Sequence, residues 1–290
     1  MSSILVLIAA PGSNAITPVV TALVSGEPKW LALGEAAEFT QFDAETKARL
    51  KPFAIDVNVV PAANRRKKLL IADMDSTMIH QECIDELGVM AGVGDHIKNI
   101  TARAMRGELD FEGALKERVG LLKGLDESVI AELIRTRITF MEGGKTLLST
   151  MKANGAYAAL VSGGFTAFTA HVAATLGFDE NRANTLLIEN GKLTGEVALP
   201  ILGKEAKVES LHRICKTHGY ALSDSIAVGD GANDIPMLLE AGMGVALHAK
   251  PKVQEQAPYV INHGDLTALL YLQGYSKSEF TSAETTSTLP

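Results

Sequence analysis

Three short apolar runs stand out in the chain, and each one ends on a polar or glycine-rich cluster. The runs, each given with the first residue of its cluster, are 69–72 with Asp73, 156–161 with Ser162 and 226–228 with Gly229. Because a helix-like segment follows every cluster, the pattern predicts a parallel sheet covered by helices on both faces. Ligands of such sheets bind outside the carboxyl ends of the strands. We therefore expect the three clusters to meet at one site.

The segments around these runs predict the other parts of an α/β protein. At 290 residues the chain has room for one large domain or two modest ones. Between residues 84 and 141 the patterns are helical, which predicts a small helical cap over the site. The first residues of the chain carry strand and helix patterns but no catalytic grouping. An Asn-Gly pair at 190–191 predicts a hairpin.

These patterns divide the chain into four parts. We predict a small α/β N-terminal domain (1–64), a core in two pieces (65–83 and 142–274), a cap (84–141) and a tail (275–290). The tail is rich in Ser and Thr, so we expect it to be mobile.

Residues 61–68 join the first domain to the core and contain four consecutive basic residues, Arg65 to Lys68. Either a nucleic-acid contact or a solvated linker would explain them. We favour the linker, because no aromatic residues interleave and the net charge of the chain is −7. The same charge argues against nucleic acid as a partner, so an anionic small molecule would need a local site, a metal or both.

The composition also limits the compartment and the chemistry. Cys83 and Cys215 form no C-x-x-C pair, and we interpret them as small buried residues of a cytoplasmic protein. The apolar start lacks a basic region and no apolar stretch reaches ~18 residues, so we expect neither a signal peptide nor a membrane span. The histidines form no His-Glu-x-x-His pattern, which disfavours zinc catalysis. Monomer and homodimer both stay open.

Asp73 and Asp75 stand two residues apart where the first apolar run ends, so both carboxylates can face one cavity. A carboxylate can attack phosphorus and form an acyl phosphate, which splits a hydrolysis into two easier steps. A second carboxyl group beside it could protonate the leaving oxygen and later activate water. Taken alone, this Asp-x-Asp-x-Thr pattern is also explained by an ordinary turn or a helix N-cap.

Asp230 lies in the loop Gly-Asp-Gly-Ala-Asn-Asp, residues 229–234, that follows the third run. Mg²⁺ prefers oxygen ligands and usually takes one or two carboxylates, and Asp230 can meet Asp73 across the sheet. Asn233 and Asp234 begin the next helix, where capping is their ordinary role. By itself the motif fits a turn as well as a metal site.

Ser162, Gly163 and Gly164 end the second run, and Lys207 follows in a predicted helix. A hydroxyl with exposed backbone N–H groups at a helix N-terminus forms an anion cradle, although a flexible turn has the same sequence. Lys207 could neutralise charge during phosphoryl transfer, although most helical lysines are solvated.

The four groups occur in one order along the chain, and independent accidents at all four positions are improbable. Their order resembles the signature of the haloacid dehalogenase superfamily over about residues 68–271, and most closely that of its phosphoserine-hydrolysing branch. The residues that carry the resemblance are Asp73 to Thr77, Glu82, Gly107 to Phe111, Arg118, Val119 and Gly229 to Asp234.

This resemblance implies a Rossmann-like α/β core with a small helical cap, and Mg²⁺ as the cofactor. It implies that Asp73 is the nucleophile and a metal ligand, and that Asp75 is the general acid/base and binds the metal through its backbone carbonyl. Asp230 would be the remaining protein ligand. The phosphoryl group would be bound by Ser162, Gly163, Lys207 and Asn233, and Asp234 would support the site.

The implied substrate, O-phosphoserine, also carries an ammonium group and a carboxylate. Glu82 could pair with the ammonium and Arg118 could bind the carboxylate with its planar fork of donors. Their ordinary roles would be a first-turn helix acid and a surface residue of the cap. Phe111 and Met105 match cap positions that close over the substrate, although core packing would also explain them.

The function implied is hydrolysis of O-phospho-L-serine to L-serine and phosphate, the last step of serine biosynthesis. One alternative is transfer of the phosphate to another hydroxyl, such as that of homoserine. Another is an amino-acid sensor, because longer bacterial relatives often carry ACT-type modules at the N-terminus and residues 1–64 resemble a reduced one.

Overall fold

The N-terminal part of the molecule is a four-stranded antiparallel sheet with two short helices. The computed structural model describes residues 2–281, apart from the side chain of Met105. The first elements are β1 (Ser3–Ala9), α1 (Pro18–Thr21), β2 (Lys29–Ala32), β3 (Ala36–Phe39), α2 (Thr46–Leu50) and β4 (Ile55–Pro61). Their βαββαβ chain order and the strand order β2-β3-β1-β4 are those of a ferredoxin-like arrangement. An α/β domain is therefore present here, with its helices reduced to about one turn, and its likeness to ACT modules stays a prediction.

The rest of the described chain builds the cap and the core. The cap helices are α3 (Cys83–Met90), α4 (Gly94–Met105), α5 (Phe111–Gly120) and α6 (Ser128–Thr136). The core elements are α7 (Gly144–Ala153), β6 (Tyr157–Phe165), α8 (Thr166–Leu176), β7 (Glu180–Asn184), β8 (Leu186–Glu189), β9 (Lys192–Val197), α9 (Lys204–His218), β10 (Ser225–Gly229), α10 (Ile235–Glu240), β11 (Met243–Leu247), α11 (Pro251–Gln254), β12 (Tyr259–Ile261) and α12 (Ala268–Leu272), and one core strand, β5 (Leu69–Ala72), precedes the cap.

The core is a six-stranded parallel sheet in the order β12-β11-β10-β5-β6-β7, which confirms the predicted fold class. All four residues of β5 are fully buried, as expected for a strand with helices on both faces. The strands that carry the three polar clusters, β10, β5 and β6, are adjacent. Ala72 pairs with Val228 on one side and with Leu160 on the other, so the clusters start at nearly the same level of the sheet.

The cap is connected to the core by more than its two chain crossings. Ile79 and Phe140 form a β-bridge where the chain enters and leaves the cap. The hairpin β8–β9 turns at Asn190-Gly191, both with positive φ, as the Asn-Gly pair predicts. Leu193 of this hairpin exchanges backbone hydrogen bonds with the loop between α5 and α6, at 2.8 Å to both Gly124 and Leu125.

Residues 61–64, Arg66 and Lys68 are exposed, as expected of a solvated linker, but that interpretation is wrong for Arg65 and Lys67. The Arg65 side chain is 9% exposed, lies 2.6 Å from buried Glu38, and donates to the backbone carbonyl of Leu272. Lys67 is also buried and donates to the carbonyls of Asn64 and Ser223. Arg65 therefore joins the N-terminal sheet to the core, because it satisfies acceptors from both, whereas Lys67 fixes the connecting segment to the residues just before β10.

The first seven residues of the predicted tail pack against the core. Tyr275 is buried, the ring of Phe280 lies 5.1 Å from that of Tyr271, and Thr281 donates its N–H to Thr150. The prediction of a mobile tail is therefore wrong for residues 275–281, and residues 282–290 lie outside the described residues. Within residues 2–281, no helix combines the length and the apolar character needed to cross a membrane.

Candidate active site

Asp73 lies at the centre of the carboxyl edge of the sheet, directly after β5. Its backbone N–H donates to Val228 of β10 at 3.0 Å, which continues the strand pairing by one residue. The side chain is 5% exposed. Its Oδ1 accepts from the N–H of Met74 at 2.8 Å and lies 2.8 Å from the Lys207 ammonium. Burial and the nearby charge of Asp234 raise the pKa of Asp73 well above its ordinary value, against the pull of Lys207.

Lys207 projects from α9 into the same cluster and is 1% exposed. Its Nζ bridges Asp73 Oδ1 at 2.8 Å and Asp234 Oδ1 at 2.5 Å. Burial opposes its charge, but Asp234 and Asp73 together raise the pKa of Lys207. The predicted helical lysine is therefore no solvated residue: it is a fixed positive charge beside the candidate nucleophile.

Asp230 follows β10, and its loop is held tightly by small residues. Thr77 donates its hydroxyl to Asp230 Oδ1 at 3.4 Å, and burial raises the pKa of Asp230 to about 6. A β-carbon at position 229 would lie 2.3 Å from Asp234 Cγ, and one at 231 would lie 2.4 Å from Asn233 Oδ1. Glycine at both positions therefore allows the loop to fold onto its own side chains.

The donor set of this cluster fits a divalent cation bound through oxygen. Asp73, Asp230 and Asp234 each offer a carboxylate oxygen within 4.8 Å of the others. The cluster carries several buried carboxylates against one buried lysine, so a cation would relieve its excess negative charge. Both Asp234 oxygens are already engaged, with Lys207 and with the N–H of Gly231 at 3.0 Å. This engagement fits the supporting role predicted for Asp234, and Asp73 and Asp230 stay the predicted side-chain ligands.

Asp75 faces the Ser-Gly-Gly turn from the first cluster. Its Oδ1 accepts from the N–H of Cys83 at 3.2 Å, at the start of α3. A β-carbon at position 164 would lie 2.7 Å from Asp75 Oδ2, so the glycine there makes room for this carboxyl group. Burial, and then the charge of Glu82, raise the pKa of Asp75 to about 7. A carboxyl group of that pKa can both give and take a proton near neutral pH.

The Ser-Gly-Gly cluster forms the last part of β6, because the strand extends to Phe165 and α8 begins at Thr166. Ser162 is 3% exposed, and its Oγ accepts from the N–H of Gly164 at 2.9 Å. Since that lone pair is occupied, the hydroxyl proton is available to donate to an anion. The ring of Phe111 covers this turn, 3.1 Å from where a β-carbon of Gly163 would stand.

The two residues expected at the far end of the substrate lie near this cluster without pairing with each other. Glu82 is exposed and accepts from the Ser76 hydroxyl at 2.8 Å. Arg118 donates to the carbonyl of Ala114 and to Thr101 in the cap. Burial lowers the pKa of Arg118, while the nearby carboxylates of Asp85 and then Glu82 act to raise it. The guanidinium therefore lies in acidic surroundings. Met105 ends α4, and its side chain lies outside the described residues.

Two contacts of the site were missed from the sequence. The Thr77 hydroxyl on Asp230 lies inside the quoted Asp-x-Asp-x-Thr pattern, whose fifth position could have signalled it. Asn184, the last residue of β7, binds the Ser-Gly-Gly turn and no local motif marks it.

Comparison with known proteins gives the chain a family. Residues 70–239 match the family of haloacid dehalogenase-like hydrolases. The chain is 48% identical to a phosphoserine phosphatase of Haemophilus influenzae over 204 residues. This match covers 70% of the chain and 65% of the relative. Over 233 residues it is 43% identical to a phosphoserine phosphatase of Streptomyces coelicolor, 80% of this chain and 57% of that one. Both matches span less than two thirds of the relative's length.

Solved structures agree with this match. A HAD family hydrolase from Salmonella enterica serovar Typhi superposes with a TM-score of 0.84 at 30% identity, over 94% of this chain and 98% of that one. A phospho-aspartyl intermediate analogue of phosphoserine phosphatase superposes with a TM-score of 0.66 at 43% identity, over 71% and 98%. The chain belongs to the haloacid dehalogenase-like hydrolases.

Proposed function

We propose that the protein hydrolyses O-phospho-L-serine to L-serine and inorganic phosphate through an acyl phosphate on Asp73. The observation that carries the proposal is the Asp73 carboxylate 2.8 Å from the buried Lys207 ammonium, next to an Asp75 carboxyl group that lies against the Ser-Gly-Gly turn. The names of the relatives support the choice of substrate. The chemistry named by the phospho-aspartyl analogue supports the covalent intermediate.

In the first step a carboxylate oxygen of Asp73 attacks phosphorus, and the bond from phosphorus to the serine oxygen breaks. Asp75 donates its proton to that oxygen, so serine leaves as the alcohol. Lys207, held by Asp73 and Asp234, supplies a fixed positive charge against the transferring phosphoryl oxygens. Because Lys207 is buried and already oriented, no reorganisation is needed when charge develops.

In the second step Asp75 accepts a proton from water, and the water oxygen attacks the phosphorus of the acyl phosphate. The bond from phosphorus to the Asp73 oxygen breaks, which releases inorganic phosphate and restores the carboxylate. The Ser162 hydroxyl, the backbone of Gly163 and the side chain of Asn233 bind the phosphoryl oxygens through both steps. The Cys83 N–H holds the Asp75 carboxyl group in one orientation while it gives and retakes its proton.

The cation we propose is Mg²⁺, held by the side chains of Asp73 and Asp230 and by the backbone carbonyl of Asp75. An all-oxygen donor set with few carboxylates is typical of Mg²⁺, and it is unlike the thiolate and imidazole sets that select zinc. When bound, the ion screens the negative charge between the nucleophile and the phosphate. Asp234 then serves to hold Lys207.

For selectivity, we propose that Glu82 binds the ammonium group of phosphoserine and that Arg118 binds its carboxylate. Phe111, which covers the Ser-Gly-Gly turn, and Met105 close the cap over the substrate. Closure excludes bulk water, which strengthens every charged contact inside the site. The activity would complete serine biosynthesis, and we propose a cytosolic location because both cysteines are free.

The test is a small panel of phosphate esters assayed with and without Mg²⁺. We expect turnover of phosphoserine only with the cation. Arg118→Ala should lower kcat/KM for phosphoserine about 100-fold, as expected when one partner of a charged contact is removed, but should leave O-phosphoethanolamine, which has no carboxylate, within about threefold. Glu82→Gln should impair both substrates, since both carry the ammonium group.

Lys116→Ala is the matched control for the cap, because Lys116 lies on the same helix, is 57% exposed and contacts only Glu112 among the ion pairs of the described residues. It should change neither substrate. Equal losses on both esters in Arg118→Ala would contradict the carboxylate contact. Turnover of a general phosphate ester without turnover of phosphoserine would contradict the substrate while leaving the chemistry in place.

A further inference from the structure

Asn184 is a buried side chain at the carboxyl end of β7, the edge strand of the core sheet. It is 2% exposed and lies outside every motif of the sequence. Its Nδ2 donates to the carbonyl of Gly163 at 2.9 Å and to the carbonyl of Leu202 at 3.2 Å. Its Oδ1 accepts from the N–H of Leu202 at 2.7 Å. One amide group therefore joins two segments that the chain separates widely.

The first segment is the Ser-Gly-Gly turn. The Gly163 carbonyl and the Gly164 N–H belong to the same peptide group, which Asn184 holds at one end and the Ser162 hydroxyl oxygen holds at the other. A peptide group fixed at both ends cannot rotate. The orientation of the turn, and the direction of the Ser162 hydroxyl, are thereby set before any ligand arrives.

The second segment is the entry to α9. Leu202 makes two hydrogen bonds with Asn184: its N–H donates to Oδ1 and its carbonyl accepts from Nδ2. The next residue, Gly203, is the N-cap of the helix that carries Lys207. Gly203 also lies against the Phe111 ring: a β-carbon at position 203 would stand 3.5 Å from Cδ1 of that ring. The position of Lys207 relative to the turn therefore depends on how this entry is held.

We infer that Asn184 is a positioning residue that sets the spacing between the phosphate-binding turn and the helix of Lys207. It touches neither the substrate nor the reacting atoms. It acts through Gly163 and Leu202, so its removal should loosen both sides of the phosphate site together. The inference rests on the proposed phosphate chemistry of this site.

The test compares Asn184→Ala with Asn181→Ala in the intact protein. Asn181 lies on the same strand, is exposed, and accepts a hydrogen bond from Thr169, away from the turn. A misplacement of about 1 Å can cost on the order of 100-fold in rate. We expect Asn184→Ala to lower kcat by about 10-fold to 100-fold and to weaken product inhibition by inorganic phosphate, whereas Asn181→Ala should change neither.

Asn184→Asp keeps the shape and the acceptor for the Leu202 N–H but loses the donor to Gly163. We expect it to fold and still show the weakened inhibition by phosphate, so a failure of the alanine variant to fold leaves the test intact. If both Asn184 variants lower only the melting temperature and keep wild-type kcat and phosphate inhibition, the inference is overturned.

The two proposals can fail separately. If the wild-type protein does not hydrolyse phosphoserine, the same kcat and phosphate-inhibition measurements are made with an activated aryl phosphate. If the Asn184 variants keep wild-type kcat and phosphate inhibition with the aryl phosphate, the positioning role is overturned. If they show lower kcat and weaker phosphate inhibition, the positioning role is supported and only the choice of phosphoserine is wrong.

Discussion

Two regions of the molecule bury acidic side chains, and they shift the pKa values of those side chains in opposite directions. Where the N-terminal sheet meets the core, Glu35 is 4% exposed, yet its pKa is lowered: burial acts to raise it, but hydrogen bonds from Lys277 and Tyr271 outweigh that effect. At the carboxyl edge of the core sheet, burial raises the pKa of Asp73, Asp75 and Asp230. The first region therefore favours the charged form of Glu35, and the second favours the neutral form of its carboxyl groups.

The partners account for this difference. At the domain junction Asp56 accepts the backbone N–H groups of Asn262, His263 and Gly264, at 2.7 to 3.2 Å, and Glu38 lies 2.6 Å from Arg65. In the site, Asp73 and Asp234 share one lysine. Donors therefore compensate the buried carboxylates at the junction, apart from Glu38 Oε1, which has no hydrogen-bond partner among the described residues. The carboxylates of the site share one buried lysine, and the cation that we propose would compensate the rest of their charge.

The largest effect that would test this contrast is the loss of the nucleophile. Asp73→Asn should reduce kcat on the order of 10⁴-fold or more, because removal of a nucleophile removes the whole covalent route. Its free energy of unfolding should fall by less than about 1 kcal/mol, since burial and Asp234 both disfavour the lost charge and Lys207 keeps Asp234. Activity assays and urea unfolding measure the two quantities.

Trapping of the intermediate gives the outcome that could contradict this prediction. Rapid acid quench during turnover, followed by peptide mass spectrometry, should find phosphate on Asp73. Phosphate on another residue, or substantial turnover by Asp73→Asn, would refute the assignment. A large loss of stability in this variant would instead refute the contrast between the two regions.

At the domain junction the contrast predicts the reverse outcome. Arg65→Ala leaves Glu38, which is 3% exposed, without its buried partner and with the exposed Lys29, 3.0 Å from its Oε2, as its remaining ion-pair contact among the described residues. Removal of one member of a buried ion pair costs about 3 kcal/mol or more, because the other charge stays buried. We expect that loss in the free energy of unfolding by urea, with kcat unchanged within about twofold while the protein is folded.

Arg66→Ala is the matched control for this variant. Arg66 is the next residue along the chain, but its side chain is 49% exposed, pairs with Glu279 and stacks on Tyr275. An exposed pair of this kind contributes about 1 kcal/mol or less. Equal losses for the two variants would show that burial of the first arginine is not what stabilises the junction.

The sequence predicted the arrangement at the carboxyl edge of the core sheet much better than the contacts at the junction. The apolar run at 69–72 predicts the position of Asp73 directly, because strand, turn and carboxylate are contiguous in the sequence. The helical pattern predicted between residues 84 and 141 is likewise found, for example in α5 (Phe111–Gly120). The junction depends on residues far apart in the chain. Arg65 binds Glu38 and Leu272, and neither partner is visible from the local basic run.

The same reasoning explains the other two errors. The Ser and Thr content of residues 275–290 predicted mobility, but Tyr275 finds its packing on distant parts of the core. Asn184 carries no motif, because its effect comes from Gly163 and Leu202, each some twenty residues away. Local composition predicts where a segment could be solvated, and only the tertiary fold shows which polar side chains find partners.

The smallest predicted effect concerns the pH dependence of the junction. Glu35 accepts from Tyr271 at 2.7 Å and from Lys277 at 2.6 Å, and its pKa is lowered from 4.5. Because the folded state favours the ionised form, this group stabilises the fold fully above pH 4.5, and the stabilisation is lost as pH falls through the lower folded pKa. Glu35→Gln should therefore cost about 1.5 kcal/mol near neutral pH, the value of a hydrogen bond to a charged group, and progressively less in acid.

Urea unfolding of the two proteins from pH 7 down to pH 3 measures this difference directly. Glu45→Gln, at a side chain that is 87% exposed, is the control and should follow the wild-type curve. A gap between wild type and Glu35→Gln that stays constant or widens in acid would mean that the ionised carboxylate is not what stabilises the junction. The gap should instead narrow, because the junction favours the charged form of Glu35, whereas the carboxyl edge of the core sheet favours the neutral form of its buried carboxyl groups.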